Sequence, residues 1–342
     1  MCNSFVKGAH FLKSSMVMIL FFCGSGNMSR ADIPPPLPLP VHTRLPEFPL
    51  MKILSDEPLG DFQSITIPLK RAGRLFLIEA QVDGQIGNLV FDTGASGLVL
   101  NRTYFRKYVT EEKPAGGGIT GGPDKMHRIK ISRIDISGLY YKDLYADVTD
   151  LGHIENRRGV KILGLFGLDM ITRFEVIFDA NNNELQLIRV DKNGLRLDKT
   201  KPGITFDFTQ SIETQHNIMT IKGMIGDKTL NFCLDTGAES NVLSSTIPKK
   251  VMNTVQINRR SSMGGAGAAT VEVLYGTMQD FEFGKHQFGN METVVTSLDA
   301  MCESYGCNID GMLGYDFWQK GIFRINFEKK EISFSLGKGG SK

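Results

Sequence analysis

The chain lacks an excess of either charge. Its 39 Lys and Arg stand against 37 Asp and Glu, a formal net charge of +2 over 342 residues. Without a basic surplus no nucleic-acid partner is expected, and the mixed segment 125–133 reads as a solvated strand face. Long apolar runs are also missing: Met16–Cys23 falls far short of the about 20 residues that a membrane-spanning helix needs. Metal-ligand patterns are absent. The six histidines (His10, His42, His127, His153, His216, His286) show neither metal spacing nor a partner for a Ser or Cys nucleophile. Cys302 and Cys307 supply only two of the four ligands of a zinc site, with no His nearby in sequence. Neither glycine cluster leads into Gly-Lys-Ser or Gly-Lys-Thr, and Gly265-Ala266-Gly267 has no βαβ surroundings, so phosphate and dinucleotide loops are excluded. The expectation is chemistry with no metal and no cofactor.

Cysteine is scarce, and two of the five lie in the leader. Lys7 and Lys13 precede the run Met16–Cys23 and the small residues Gly24-Ser25-Gly26, so residues 1–31 read as an export signal, cut after Gly26 or Ala31. Secretion or delivery to a periplasm is expected. Lipid anchoring through Cys23 is the weaker alternative, because Phe22 is bulky where a lipoprotein signal wants a small residue. Residues 32–60, with Pro34-Pro35-Pro36-Leu37-Pro38-Leu39-Pro40, form an extended arm or a short propeptide. In an exported protein, Cys302 and Cys307 suit a disulfide closing a small loop. Cys233 reads as a small buried hydrophobe. Asn101-Arg102-Thr103 is formally a glycosylation sequon and, more simply, a polar turn or helix start.

What the chain does contain is one word written twice. Phe91-Asp92-Thr93-Gly94-Ala95-Ser96 and Leu234-Asp235-Thr236-Gly237-Ala238-Glu239 place their aspartates 143 residues apart, each behind a β-type run and before a second apolar run. Glycine permits the tight turn that exposes such an Asp. One copy alone would be an ordinary surface turn. The repeat continues, however. Leu165-Phe166-Gly167-Leu168-Asp169 and then Phe174–Asp179 are echoed by Met312-Leu313-Gly314-Tyr315-Asp316 and then Phe323–Glu328. Between these landmarks lie the clusters Gly116–Gly122 and Gly264–Gly267, each flanked by alternating residues, as at the tip of a mobile hairpin.

This order resembles the aspartic peptidases: strand, Asp-Thr-Gly, glycine-rich hairpin, then two apolar residues and Gly, twice over roughly residues 60–336. Ala after each Asp-Thr-Gly, and a first hairpin without the Tyr typical of pepsin flaps, resemble the retroviral-type branch. The chain is similar to a tandem fusion of two retropepsin-like units. The resemblance implies an all-β, bilobal acid-protease-like fold with a cleft between two pseudo-symmetric β-barrel-like lobes, at 61–192 and 204–338, joined by a polar connection at 193–203. It implies Asp92 and Asp235 as a catalytic dyad, with Thr93 and Thr236 hydrogen-bonding across the lobe interface and Gly94 and Gly237 allowing close backbone approach. Gly117, Gly118, Ile119 and Gly121, and Gly264, Gly265 and Gly267, would form two flaps over a peptide or protein substrate bound as an extended strand. With both half-sites in one chain, a monomer is expected.

Two carboxylates held this close cannot both ionise cheaply, so they share a proton and titrate as a pair. The ionised member can take a proton from water while the protonated member donates to the scissile carbonyl; which Asp does which is open at this stage. Ala95 and Ala238 offer no hydroxyl to stabilise the charged form, which points to a weakly acidic optimum rather than a strongly acidic one. The alternative function is a catalytically silent peptide-binding or assembly protein on the same fold. At 41% hydrophobic and 22% charged, the composition suits a soluble protein large enough for two lobes. Strands are expected at 75–82, 129–136, 185–190, 218–225, 271–274 and 331–336. Helix should be sparse, with short pieces near 245–251, 169–174 and 316–320.

Overall fold

The computed structural model describes residues 20–22, 57–114, 125–199, 204–215, 217–265 and 270–336. Alternating apolar residues make Leu75–Val82 a strand with its second half buried on every other residue. It returns through Asp83 (φ 44°) and Gly84 (φ 84°), a pair of positive φ values that defines the hairpin turn best matched to strand twist. The Asp83 carboxylate also accepts from the N–H groups of Ser132 and Arg133, at 3.0 and 2.7 Å, which ties the turn to the strand Lys125–Ile136. In the second half, Ile218–Ile225 and Lys228–Leu234 form the equivalent hairpin.

The two halves are built to one plan. The first sheet runs Lys70–Ala72, Leu75–Val82, Gln85–Phe91, Ile162–Phe166, Leu98–Asn101, Leu139–Thr149, Lys125–Ile136, Glu111–Pro114. The second repeats that path from Ile218–Ile225 through Lys228–Leu234, Gly311–Leu313, Asn241–Ser244, Met291–Thr296 and Thr270–Met278 to Val255–Gly265. In each, the strand that enters Asp-Thr-Gly and the strand that leaves it lie on either side of a short strand from the later glycine landmark. That short strand is parallel to the first and antiparallel to the second. The Asp loop therefore arches over the end of a central, fully buried strand. Leu20–Phe22 adds to the second sheet, antiparallel to Met263–Gly265.

A third sheet takes strands from both halves, in the order Phe208–Ser211, Glu331–Ser335, Ile322–Asn326, Phe174–Asp179, Glu184–Arg189, Ser64–Pro68. Its central pair is antiparallel, with Glu175 opposite Asn326, Val176 opposite Ile325 and Ile177 opposite Arg324. The repeated segments thus pair with each other about the Val176–Ile325 position, as the same surface does in an isologous dimer. Residues 190–198, where a polar connection was expected to begin at 193, are pinned in place. Val190 bridges Arg196, and Arg196 forms an ion pair at 2.6 Å with the buried Glu175. Residues 200–203 lie outside the described set.

The expected helices are present but shorter: a 3-10 turn at Leu168–Met170 and helices at Lys249–Met252 and Tyr315–Trp318. Three more are present: Arg102–Phe105, at the position read as a polar turn or helix start, and Gly152–Arg158 and Asp299–Tyr305, which were not anticipated. Each is two turns or fewer, too short for a 3.6-residue apolar period to stand out. Asn101 caps the first of them, its side chain accepting from Thr103 N–H, which is the helix-start reading of the sequon.

Core packing joins the halves. Phe178, on the central strand of the shared sheet, meets Phe76 and Phe91 of the first half and Trp318 of the second, edge to face, at 4.9, 5.4 and 5.4 Å between centroids. Truncating a fully buried aromatic of this kind costs about 3–5 kcal/mol. Phe178→Ala is therefore expected to lower the denaturant midpoint for the whole molecule in a single transition; separate loss of one half would show that the ring does not couple them.

Candidate active site

Asp92 and Asp235 are brought together at the junction of the halves, 1% and 0% exposed. Each is fixed by its own main chain to the glycine landmark of its half: Asp92 N–H donates to Phe166 O at 3.1 Å, and Asp235 N–H to Leu313 O at 3.0 Å. Gly167 and Gly314 are required beside them. A Cβ on Gly167 would meet Gly97 O at 2.3 Å and Ala95 O at 2.6 Å, and one on Gly314 would meet Ala238 O at 2.6 Å. The sequence landmark of two apolar residues and Gly is thus the floor of each Asp loop, a role that spacing alone did not assign.

The threonines interlock. Thr93 N–H donates to Thr236 Oγ1 and Thr236 N–H to Thr93 Oγ1, both at 3.0 Å. Each hydroxyl then donates onward to the opposite strand, Thr93 to Leu234 O at 3.0 Å and Thr236 to Phe91 O at 2.8 Å. All four groups are buried, so every donor is satisfied across the interface. Gly94 and Gly237 are crossed over in the same way: a Cβ on Gly94 would lie 2.5 Å from Asp235 Oδ2, and one on Gly237 would lie 2.5 Å from Asp92 Cγ.

The carboxyls divide their oxygens by role. Asp92 Oδ1 accepts from Gly94 N–H at 2.9 Å; Asp235 Oδ1 accepts from Gly237 and Ala238 N–H at 2.8 and 3.1 Å. Oδ2 of each is buried without a backbone or hydroxyl donor. The group that can serve it is the opposite carboxyl, and only when one of the two is protonated. Burial raises both acids. Asp92 is pushed up to about 6, against the lowering effect of its hydrogen bond with Asp235 and of the Gly94 and Ala95 amides. Asp235 is raised well above the carboxylate range by burial, by the charge of Asp92 and by their hydrogen bond. Ala95 and Ala238 are buried in apolar clusters and supply no hydroxyl to oppose this.

A one-sided set of arginines clamps the halves beside the dyad, and sequence reading missed it. Arg158, from the helix Gly152–Arg158, forms a largely buried ion pair with Glu239, the residue after the second Asp-Thr-Gly-Ala. Arg74 reaches Glu239 O at 3.0 Å, Asp316 at 3.1 Å and Glu292 at 2.8 Å. Arg71 hydrogen-bonds Tyr315 and lies over the rings of Phe76 and Tyr315 at 4.2 and 4.7 Å. The first copy carries Ser96 where the second has Glu239, so the repeat hides the pairing.

Of the expected flap residues, Gly117, Gly118, Ile119, Gly121 and Gly267 lie outside the described residues. The hairpin arms are described: Glu111–Pro114 pairs with Lys125–Arg128, and Val255–Gly265, which ends on Gly264 and Gly265, pairs with Thr270–Met278. A cavity of about 500 Å³ between the second hairpin and the start of the helix Asp299–Tyr305 is lined by Arg260, Glu272, Leu274, Thr296, Ser297 and Ala300 among others, and by no residue of either Asp loop. Cys302 and Cys307, the pair suited by spacing to a disulfide, lie side by side as thiols with sulfurs 3.3 Å apart. Among the described residues no His, Cys, Asp and Glu cluster could hold a metal ion, and no helix is long and apolar enough to cross a membrane.

Two interlocked Asp-Thr-Gly loops between strand-for-strand equivalent sheets define the fold of a bilobal acid protease. The family model described as aspartyl protease matches residues 78–170 and 221–317, more than half of the chain, and the chain belongs to that family. Among solved structures, the aspartic proteinase from Irpex lacteus is similar at 12% identity with a TM-score of 0.47, over 80% of this chain and 98% of that one. No curated protein sequence matches the chain.

The raised Asp92 acid has a stability consequence. Its folded pKa of about 6 lies above the ordinary value of 3.8, so the folded state binds the proton more tightly than the unfolded state. Stability then falls as pH rises from about 4 through about 6. Asp92→Asn removes that loss while its amide can still accept from Gly94 and donate to Asp235. The variant is expected to be more stable than the parent at pH 7 by on the order of 1–3 kcal/mol, with the difference vanishing below pH about 4. Denaturant melts at both pH values check this; a difference independent of pH would contradict it.

Proposed function

We propose that the chain is an aspartic endopeptidase in which Asp92 and Asp235 activate a water against a peptide carbonyl. The observation that carries this reading is the pair of inward-facing Oδ2 atoms, one from each half, buried without any other protein donor. A water bound against both carboxyls would be hydrogen-bonded by the pair. Burial raises both acids and couples them, so the pair holds one proton: the ionised member serves as base and the protonated member as acid. Water attacks the carbonyl carbon as the ionised carboxylate takes its proton and the protonated one donates to the carbonyl oxygen. In the collapse of the tetrahedral intermediate the proton taken from water goes to the leaving amine, and the acid recovers its own from the gem-diol.

The rest of the site serves that step. The crossed threonines hold the loops in one geometry, and the amides of Gly94, Gly237 and Ala238 orient the inner oxygens. Two hairpins, one per half, suit an extended peptide laid along the cleft and paired through its main chain. Both half-sites come from one chain, which supports action as a monomer. The leader of residues 1–31 supports an exported enzyme, secreted or periplasmic.

The test is cleavage of a diverse peptide pool by the purified protein across a pH series, beside Asp92→Asn and Asp235→Asn. Each substitution is expected to abolish cleavage. The parent kcat/KM should rise with pH as the dyad loses its first proton and fall again as it loses the second, both limbs displaced upward from the ordinary carboxylate range by burial. Cleavage that survives either substitution, or a rate peaking below about pH 3.5 where a hydroxyl-assisted dyad would work, contradicts the mechanism. A folded protein that binds peptides without cutting them would favour the silent binding module.

A further inference from the structure

Cys302 and Cys307 meet at the end of the helix Asp299–Tyr305 for a reason that lies in the backbone. Gly306 ends the helix in the left-handed region at φ 59°. The N–H groups of Gly306 and Cys307 both close on Cys302 O, the latter at 3.1 Å. This type of cap brings the residue after the glycine against a residue of the last turn, and an apolar contact commonly fills that position. Here both partners are cysteines, half-buried, with Cys307 Sγ donating to Cys302 Sγ at 3.3 Å. The cap closes the backbone around the pair and sets the two sulfurs side by side.

We propose that Cys302 and Cys307 form a reversible dithiol–disulfide pair that closes the cap of this helix on exposure to a small-molecule disulfide. The chemistry balances as two exchanges. A thiolate of Cys302 attacks one sulfur of the small disulfide, whose S–S bond breaks and whose other half leaves as a thiolate. Cys307, losing its proton, then attacks Cys302 sulfur and expels the second half. The protein loses two thiol hydrogens and two electrons; the small disulfide gains them and becomes two thiols. Burial and the adjacent Cys302 push the Cys307 thiol up to about 12, so it stays protonated at neutral pH and the first attack falls to Cys302. Cys233 belongs to the same apolar cluster but is fully buried, with its thiol raised well above the usual value, and takes no part.

Closure would act on the second Asp loop. The turn that follows Cys307 is bonded to both strands flanking Asp235. Asn231 Nδ2 donates to Asn308 O at 2.6 Å, Asn231 and Asp310 exchange bonds at 2.8 Å, and Ser244 N–H donates to Asp310 O at 2.8 Å. A covalent ring at 302–307 therefore restrains a segment that holds the strands Lys228–Leu234 and Asn241–Ser244 together. This inference does not depend on peptidase activity, and its test reads the sulfurs directly.

Incubate the folded full-length chain with oxidised glutathione, alkylate, and digest with trypsin without reduction. The fragment from His286 to Lys320 contains these two cysteines and no others. It is expected to be lighter by two hydrogens and unalkylated, to regain two alkylation sites after dithiothreitol, and to accompany a rise of a few degrees in Tm that Cys307→Ser abolishes. A fragment alkylated at both sites, one that stops at the glutathione adduct, or one cross-linked to Cys2, Cys23 or Cys233 would overturn the proposal.

Discussion

Everything in this molecule is arranged around four hydrogen bonds between Thr93 and Thr236, in which each threonine serves the main chain of the other half. Because donors and acceptors are buried on both sides, separating the loops would strand several polar groups at once, which is far costlier than losing one exposed bond. The lock leaves the adjoining aspartates no freedom to move apart. Gly94 and Gly237 follow from it, since any side chain there would occupy the space of the opposite carboxyl. So do Gly167 and Gly314, which let the main chain pass directly beneath each loop.

Holding two acids in that position is locally unfavourable, and the surrounding structure sustains it. Burial raises both acids and the charge of Asp92 raises Asp235 further, while only the backbone amides of the loops and the shared proton oppose this. The stabilisation comes from elsewhere: the shared six-stranded sheet, the aromatic contacts of Phe178 with both halves, and the arginine clamp on Glu239, Asp316 and Tyr315. A strained polar centre held by an over-determined frame is what a reactive site requires. The clamp is one-sided, so the two halves share a fold plan without being chemically equivalent.

Much of this was legible because it repeats. The strands at 75–82 and 218–225 were read to the residue, since period-two alternation bounded by Asp-Gly or Gly-Asp turns leaves little choice of register. The paired Asp-Thr-Gly words placed the candidate site. The echo of 174–179 at 323–328 was visible as well, yet nothing in one sequence says that the two copies pair with each other. The arginine clamp was hidden because Glu239 stands where the other copy has Ser96, and because Arg158 rides on a helix too short to announce itself. The Cys302–Cys307 contact was anticipated from spacing as a bond, but its origin in a glycine helix cap needed the backbone. The tips of the expected flaps lie outside the described residues.

The most direct measurement of the central claim is a crystal structure with a peptide analogue that carries a hydroxyl in place of the scissile carbonyl. The account predicts that this oxygen lies within hydrogen-bond reach of Oδ2 of both Asp92 and Asp235, on the axis that relates the halves, with the analogue extended along the cleft. An analogue whose hydroxyl contacts only one of the two carboxyls, or that binds away from them, would contradict a shared two-aspartate site.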